Sequence, residues 1–313
     1  MKVKEKHRPL HRLAASQGGI LLTSQAVACG LLRSGAADIL RRAGWVQLLF
    51  GVWAQPGRNV DLRLRLLAVQ LKQPHWIASH SAAAALHRID MVRPNSIELT
   101  VPRRGPRTRV RGVTLHPAPL ADDEVTVVAG VRATTVLRTT CDLMCTLPLH
   151  EAVIAADDVL ARRLLRREHI ADALAPPRPR RVGVRAARRA LALTDHASGS
   201  PAETKARLEM HEAGLFPESQ AEVITPNGRV RRLDFLFRAE GLGIEIEGHA
   251  WHGSRSAHQN DAIRFNELAG CPEIREMLRF TYDDVFRRPQ RFIRTIQEAL
   301  QRLRRQGPLP RRE

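Results

Sequence analysis

Residues 231–252 read RRLDFLFRAEGLGIEIEGHAWH, and the rest of the chain is best read outward from them. Two strand-like runs carry the stretch: 230–237 holds Asp234, and 241–247 holds Glu245 and Glu247. Side chains alternate faces along a strand, so Glu245 and Glu247 share one face while Leu242, Ile244 and Ile246 share the other. The short loop between the runs lets them pair as antiparallel neighbours, which brings Asp234 beside the two glutamates. Carboxylates gathered this way repel one another unless a cation lies between them, and hard divalent cations prefer oxygen ligands.

The flanking segments place this pair in a larger pattern. Ser200 or Pro201 opens a helix, AETKARLEMHEAG, which Gly214 ends and which carries Glu203 in its first turn. SQAEVIT reads as a strand and PNGR as a turn, leading into the two carboxylate strands. HQNDAIRFNELAG reads as a helix with Asp261 and Arg264 spaced i, i+3, EMLRFTYDDV starts as a strand, and RRPQRFIRTIQEALQRLRR is an amphipathic helix.

This order, helix, three strands, helix, strand, with Asp234 followed by Glu245-Ile-Glu247, resembles the PD-(D/E)XK nuclease superfamily. Within it, the small very-short-patch-repair-like endonuclease domains are the more similar. Glu203, Asp234 in RRLDFLF, Glu245 and Glu247 in GIEIEGHAWH, His252, the pair Asp261 and Arg264, and LRFT at 278–281 match the acidic and basic positions of those domains. The resemblance covers roughly the last third of the chain. It implies an αβββαβ nuclease fold and metal-dependent phosphodiester hydrolysis. Asp234, Glu245 and the Ile246 carbonyl would hold Mg²⁺ or Mn²⁺. Glu247, Glu203 and His252 would complete the catalytic cluster, and Arg264 would either neutralise phosphate or pair with Asp261. The superfamily pattern has Lys two residues after the Glu, where this chain has Glu247. The alternative function is therefore a DNA-binding regulator, an antitoxin-like repressor, whose nuclease-like domain has lost activity.

Upstream, residues 1–60 read as a small helical module with a hairpin. Thr23 and Ser24 are candidate caps of a first helix, Ser34 of a second that ends at Gly44, and WVQLLFGVWA reads as two short strands around a turn. Arg33, Arg41 and Arg42 decorate this module. The segment GGILLTSQAVACGLLRSGAADILRRAGWVQLLFGVWA resembles the N-terminal winged helix-turn-helix of abortive-infection type antitoxins, which implies duplex DNA as a partner and adds a cognate toxin as a candidate one. Residues 61–175 read as an α/β middle region: the helix DLRLRLLAVQLKQ, a Ser-capped helix SHSAAAALHRI, a strand SIELTVP, a hairpin-like basic turn, a returning strand VTLHPA, a strand EVTVV and a helix TTVLRTTCDLMCTL. The turn carries Arg103, Arg104, Arg107, Arg109 and Arg111, which suit phosphate contact as well as plain solvation. SHSAAAALHRID, ELTVP and ATTVLRTTCDLM resemble the middle of the same antitoxin-like proteins. His75, His80, His87 and His116 are spread out and read as core or surface residues. APPRPRR at 175–181 signals a linker, a basic helix follows, and residues 201–313 form the last domain, with the boundary between Leu174 and Ser200. The whole is an α/β multidomain chain.

Composition agrees with a polyanionic partner. The formal net charge is +18 over 313 residues, carried mostly by arginine, which favours nucleic acid. No apolar run is long enough to span a bilayer, so no membrane partner is expected. Four scattered cysteines, Cys29, Cys141, Cys145 and Cys271, fit a reducing cytoplasm and read as thiols rather than zinc ligands.

Overall fold

The computed structural model describes residues 7–92, 96–102, 112–176, 182–247 and 263–307. It is a mixed α/β chain with three sheets among the described residues, and its contacts divide it into two units, Met1–Leu143 and Met144–Glu313. The sequence reading set a boundary between Leu174 and Ser200, whereas the contacts divide at Leu143.

The N-terminal unit opens with α1 (Arg8–Ser16), β1 (Ile20–Leu22), α2 (Thr23–Ala28), α3 (Ala36–Arg42), β2 (Val46–Leu49) and β3 (Val52–Ala54). The three strands form an antiparallel sheet in the order β1-β3-β2. Leu10, Leu21, Leu40, Trp45 and Trp53 fill the core beneath it. The helix starts differ from the expected serine and threonine caps. Thr23 is already the first residue of α2, and its hydroxyl accepts a hydrogen bond from the Trp53 indole at 2.9 Å. The amide ahead of it is capped instead by the Gln25 side chain, at 2.9 Å. Gly35, not Ser34, precedes α3, with φ 114° and no side-chain cap. At this φ glycine is favoured because a Cβ would clash.

A second sheet follows, built from β4 (Ile77–Ala78), β5 (Ile97–Val101), β6 (Val113–Pro117), β7 (Val125–Val128) and β8 (Val131–Thr134), in the order β6-β5-β4-β8-β7. Helix α4 (Leu62–Lys72), capped by Asp61 on the Leu64 amide at 2.8 Å, and α5 (His80–His87) pack on it. Helix α6 (Val136–Thr146) closes this part of the chain. One expectation is overturned. β6 runs parallel to β5, Ile97 opposite Val113 through Val101 opposite Pro117, not antiparallel as a hairpin requires. The intervening arginines, Arg103, Arg104, Arg107, Arg109 and Arg111, lie outside the described residues.

The C-terminal unit begins with α7 (Leu149–Ala161), α8 (Arg167–Leu174) and α9 (Val184–Ala192), and continues with α10 (Pro201–Glu212). β9 (Glu218–Ile224), β10 (Val230–Phe237) and β11 (Leu242–Glu247) form an antiparallel meander. A helix at 263–269, α11, precedes β12 (Glu276–Thr281), which pairs parallel to β11. The sheet order is β12-β11-β10-β9. Two short-to-long helices end the unit, α12 (Tyr282–Arg287) and α13 (Pro289–Arg305). One face of the sheet buries Phe235, Phe237, Leu242, Ile244 and Ile246 against α10, α12 and α13. The other buries Ala221, Val223, Leu233 and Leu236 against Leu268, Cys271 and Ile274. No Cβ fits at Gly243, where it would lie 2.5 Å from the Met277 sulfur and 2.9 Å from Leu233 Cδ2. Gly243→Ala should therefore cost about 1–3 kcal/mol of stability in urea unfolding, because the neighbours must shift in a packed layer.

Candidate functional site

Strand alternation breaks where the acids gather. On β10, Phe235 and Phe237 face one core, yet Leu233, two residues away from Phe235, faces the other. β9 changes with it: Ala221 is paired with Leu233 and Ser219 with Phe235, and Gln220 between them has φ 52°. A left-handed backbone at a non-glycine residue is uncommon and gathers at functional sites. The turnover leaves Asp234 between Gln220 on one side and, continuing the Phe235–Ile244 pairing by one step, Glu245 on the other. Instead of a regular ladder, the Ile246 amide donates to the Asp234 carboxylate at 2.8 Å.

Glu203 reaches the same place from the first turn of α10. Ser200 caps that helix by accepting from the Glu203 amide at 3.2 Å, and Glu203 Oε2 accepts from the Gly199 amide at 2.9 Å. The Gln220 side-chain amide donates to Glu203 at 2.6 Å and, more weakly, to Asp234 at 3.4 Å. On the far side, Arg264 of α11 clamps Glu245 with two bonds of 2.7 and 3.1 Å, and also donates to the Arg232 carbonyl at 2.8 Å. Burial raises all three carboxyls. Glu245 is pushed up to about 7, first by burial and then by the charge of Asp234, against the pull of Arg264. Burial also raises Asp234 and Glu203, the latter with help from Asp234. Three acids that ionise reluctantly beside one another carry their charge at a cost, which a cation between them would lower.

Several assignments change in detail. Glu247 shares the face of Glu245, as its spacing requires, but forms an ion pair with Arg279 of β12 at 2.7 Å. The Arg279 guanidinium also lies over the Phe265 ring, 5.6 Å from its centroid. Arg264 pairs with Glu245, and its alternative partner Asp261 lies outside the described residues, as does His252.

A second cluster stands in the N-terminal unit, where the histidines were read as unconnected. His80, Glu98 and His116 place three donor atoms within 4.8 Å of one another, and this is the group of three or more metal-ligating residues found among the described residues. The signal was weak because the residues come from three separate elements, α5, β5 and β6. The run Ser79-His80-Ser81 before an alanine helix was the visible clue.

Compared with curated proteins, the chain is 30% identical over 270 residues to two Mycobacterium tuberculosis proteins, uncharacterized protein MT2308 of strain CDC 1551 / Oshkosh and uncharacterized protein Rv2248 of strain ATCC 25618 / H37Rv. The match covers 86% of this chain and 97% of each relative. The chain belongs to the family of these mycobacterial proteins. No family model matches it. Because 270 residues exceed either structural unit, the family likeness spans both of them. Both clusters thus lie in units that the match to the mycobacterial family reaches.

The remaining candidate residues of this family member are the arginines of α3 and its approach. Arg33, Arg41 and Arg42 are all exposed. Arg41 pairs with Asp38 at 2.5 Å and lies over the Trp53 ring at 5.8 Å. Among the described residues no helix is long and apolar enough to cross a membrane.

Proposed function

We propose that the C-terminal unit is a divalent-cation-dependent nuclease that cleaves DNA, and that the N-terminal module holds the duplex. The observation that carries this reading is the convergence of buried Glu203 and Glu245 with half-buried Asp234 at the break in strand alternation. The strand order and the parallel β11–β12 pair around an acidic αβββαβ core support a PD-(D/E)XK assignment. The order α1-β1-α2-α3-β2-β3 with sheet order β1-β3-β2 supports a winged helix.

The donor set suits Mg²⁺ or Mn²⁺, since every candidate ligand, the carboxylates and the Ile246 carbonyl alike, is an oxygen and burial makes neutralisation favourable. Asp234 and Glu245 would hold the ion, and Glu203 would add charge through the Gln220 bridge. A bound divalent ion polarises a phosphoryl oxygen and lowers the pKa of a bound water. The chain's own part is positional. The Ile246 amide aims Asp234, and Gly199 and Gln220 fix Glu203. Arg264 screens Glu245 in the ion's absence and, once released, stands ready to receive a phosphate oxygen. Incubation of the full chain with supercoiled plasmid and Mg²⁺ or Mn²⁺ tests the reading: nicking that chelator abolishes is expected, and intact plasmid under all metals sinks it.

A second reading has its own support. The Arg264 clamp on Glu245 and the Glu247–Arg279 pair neutralise acids from within, as a degenerate nuclease domain in a DNA-binding regulator would. Both readings require duplex binding through phosphates. Binding should weaken steeply with salt, and replacing exposed Arg33 and Arg42 together by Ala should reduce the log–log salt slope by about 2 if each neutralises one phosphate. Fluorescence anisotropy on a duplex across a salt series checks this, and an unchanged slope would remove these arginines from the interface.

A further inference from the structure

We propose that His80, Glu98 and His116 form a transition-metal site in the N-terminal unit, with Zn²⁺ the ion best matched to it. Its donor chemistry separates it from the acidic cluster: two imidazoles and one carboxylate select zinc and related borderline metals over Mg²⁺. The three donor atoms lie within 4.8 Å of one another. Tetrahedral zinc with bonds of about 2.0–2.2 Å needs ligand atoms roughly 3.3 Å apart, so small side-chain rotations close the shell.

The elements hold these groups for a reason of backbone geometry. The β4–β5 pairing continues one step, with the Ser79 amide donating to the Glu98 carbonyl at 3.0 Å. The chain then turns through His80 at φ 49° to open α5. That turn carries the His80 ring, in a residue only 6% exposed, onto the His116 ring, with centroids 3.7 Å apart and planes inclined by 19°. Two imidazolium rings do not stack at this distance, so at least one imidazole is neutral and has a lone pair to give. Ser79 holds the N-cap position of α5 but its hydroxyl makes no cap: it lies 3.0 Å from His80 Nδ1, leaving Nε2 as the ligating atom.

Two of the three ligands have an outer partner, the arrangement that orients metal ligands: Ser79 beside His80, and Ser81 with Ser96 beside Glu98. Glu98 Oε1 accepts from Ser81 at 2.6 Å and from Ser96 at 2.8 Å, while Oε2 faces His116 Nε2 at 2.7 Å. The side chains of Glu98 and His116 are 18% and 28% exposed, which leaves a way in and an outward coordination position. Around His80, Asp142 adds negative charge and Arg138 positive charge, and Arg138 is itself held by Asp142 and Glu124, at 2.8 Å each. Zinc held between His116 Nε2 and Glu98 Oε2 would take the place of the proton they share, which would pass to solvent or to His116 Nδ1.

Titration of the full chain with Zn²⁺ against a chromophoric chelator, with Co²⁺ absorption as reporter of geometry, tests the site. The parent should bind one equivalent that His116→Ala and Glu98→Gln each weaken at least a hundredfold, and Ser81→Ala by about tenfold. Mg²⁺ at the same concentration should not compete. Far-UV circular dichroism shows that the variants remain folded, and Glu98→Gln preserves shape should His116→Ala fail to fold. Equal zinc affinity in the parent and in the folded variants, or no zinc bound by the parent, overturns the proposal. Neither outcome bears on cleavage by the C-terminal unit.

Discussion

Replacing Arg207 by methionine should destabilise the protein by about 3–5 kcal/mol near pH 8, because it strands a buried carboxylate. Arg207 of α10 donates to Asp157 of α7 at 2.9 Å, and the two side chains are 4% and 2% exposed. Asp157 also accepts from Thr204 at 2.9 Å and from the Asp195 amide at 2.8 Å, while Arg207 donates to the Leu193 carbonyl at 2.9 Å. Burial pushes Asp157 up to about 6 even with Arg207 beside it. A folded pKa above the unfolded value means that the native state holds a proton the unfolded chain has released. Stability therefore falls as pH rises from about 4 through 6, and the carboxylate is the costly form. Without Arg207 that cost grows, so the loss in the variant should be largest at pH 8 and much smaller at pH 5. Asp157→Asn in the Arg207→Met background should recover most of the loss. Urea unfolding at both pH values measures it, and an equal loss at pH 5 and pH 8 would show that Asp157 is not the group left stranded. A fragment starting at Ser200 would lack Asp157 altogether, so the fragment expected to fold begins near Met144, not at residue 201.

Asp234→Ala and Glu245→Ala should each lower plasmid cleavage by about a thousandfold, the scale of losing several kcal/mol of metal-borne stabilisation. Neither should unfold the protein. Glu245 sits with its pKa pushed up to about 7, above its ordinary value of 4.5. The sign is the same as for Asp157: the metal-free fold loses stability as pH rises from about 4.5 to 7, and Glu245→Gln should flatten that slope. Metal must displace the proton as well as Arg264, so Mg²⁺ or Mn²⁺ should raise Tm more at pH 8 than at pH 5. Wild-type rates in both alanine variants would move the chemistry elsewhere. A folded protein with no metal-dependent shift at either pH would leave the regulator reading in front.

The pieces of this site differed in how openly the sequence displayed them. The β10–β11 meander was legible because its apolar alternation and its short link are local, and Ser200 announced α10 through an ordinary cap. α13 showed its buried stripe directly. What stayed hidden was set by tertiary contact. The parallel course of β5 and β6 stayed hidden, since strand composition carries no sign of direction. Gln220 has nothing in its identity to mark a left-handed backbone, so the phase change that seats Asp234 was invisible. Arg264 looked like a partner for Asp261 three residues away, and only folding brings it to Glu245, nineteen residues away. The middle histidines failed to register as a cluster for the same reason, and the apolar helix α7 entered only through the partner it supplies to Arg207.

The parallel pairing of β11 with β12 also has a kinetic meaning. β9, β10 and β11 join through short turns and can zip together early. β12 must return across the 28 residues that separate Glu247 from Glu276, counted from their numbers, before it can pair. Closing that loop costs entropy before any contact repays it, so pairing of this kind forms late. α11, with Arg264, lies inside the same loop. During folding the meander therefore presents Asp234 and Glu245 to solvent before their arginine arrives.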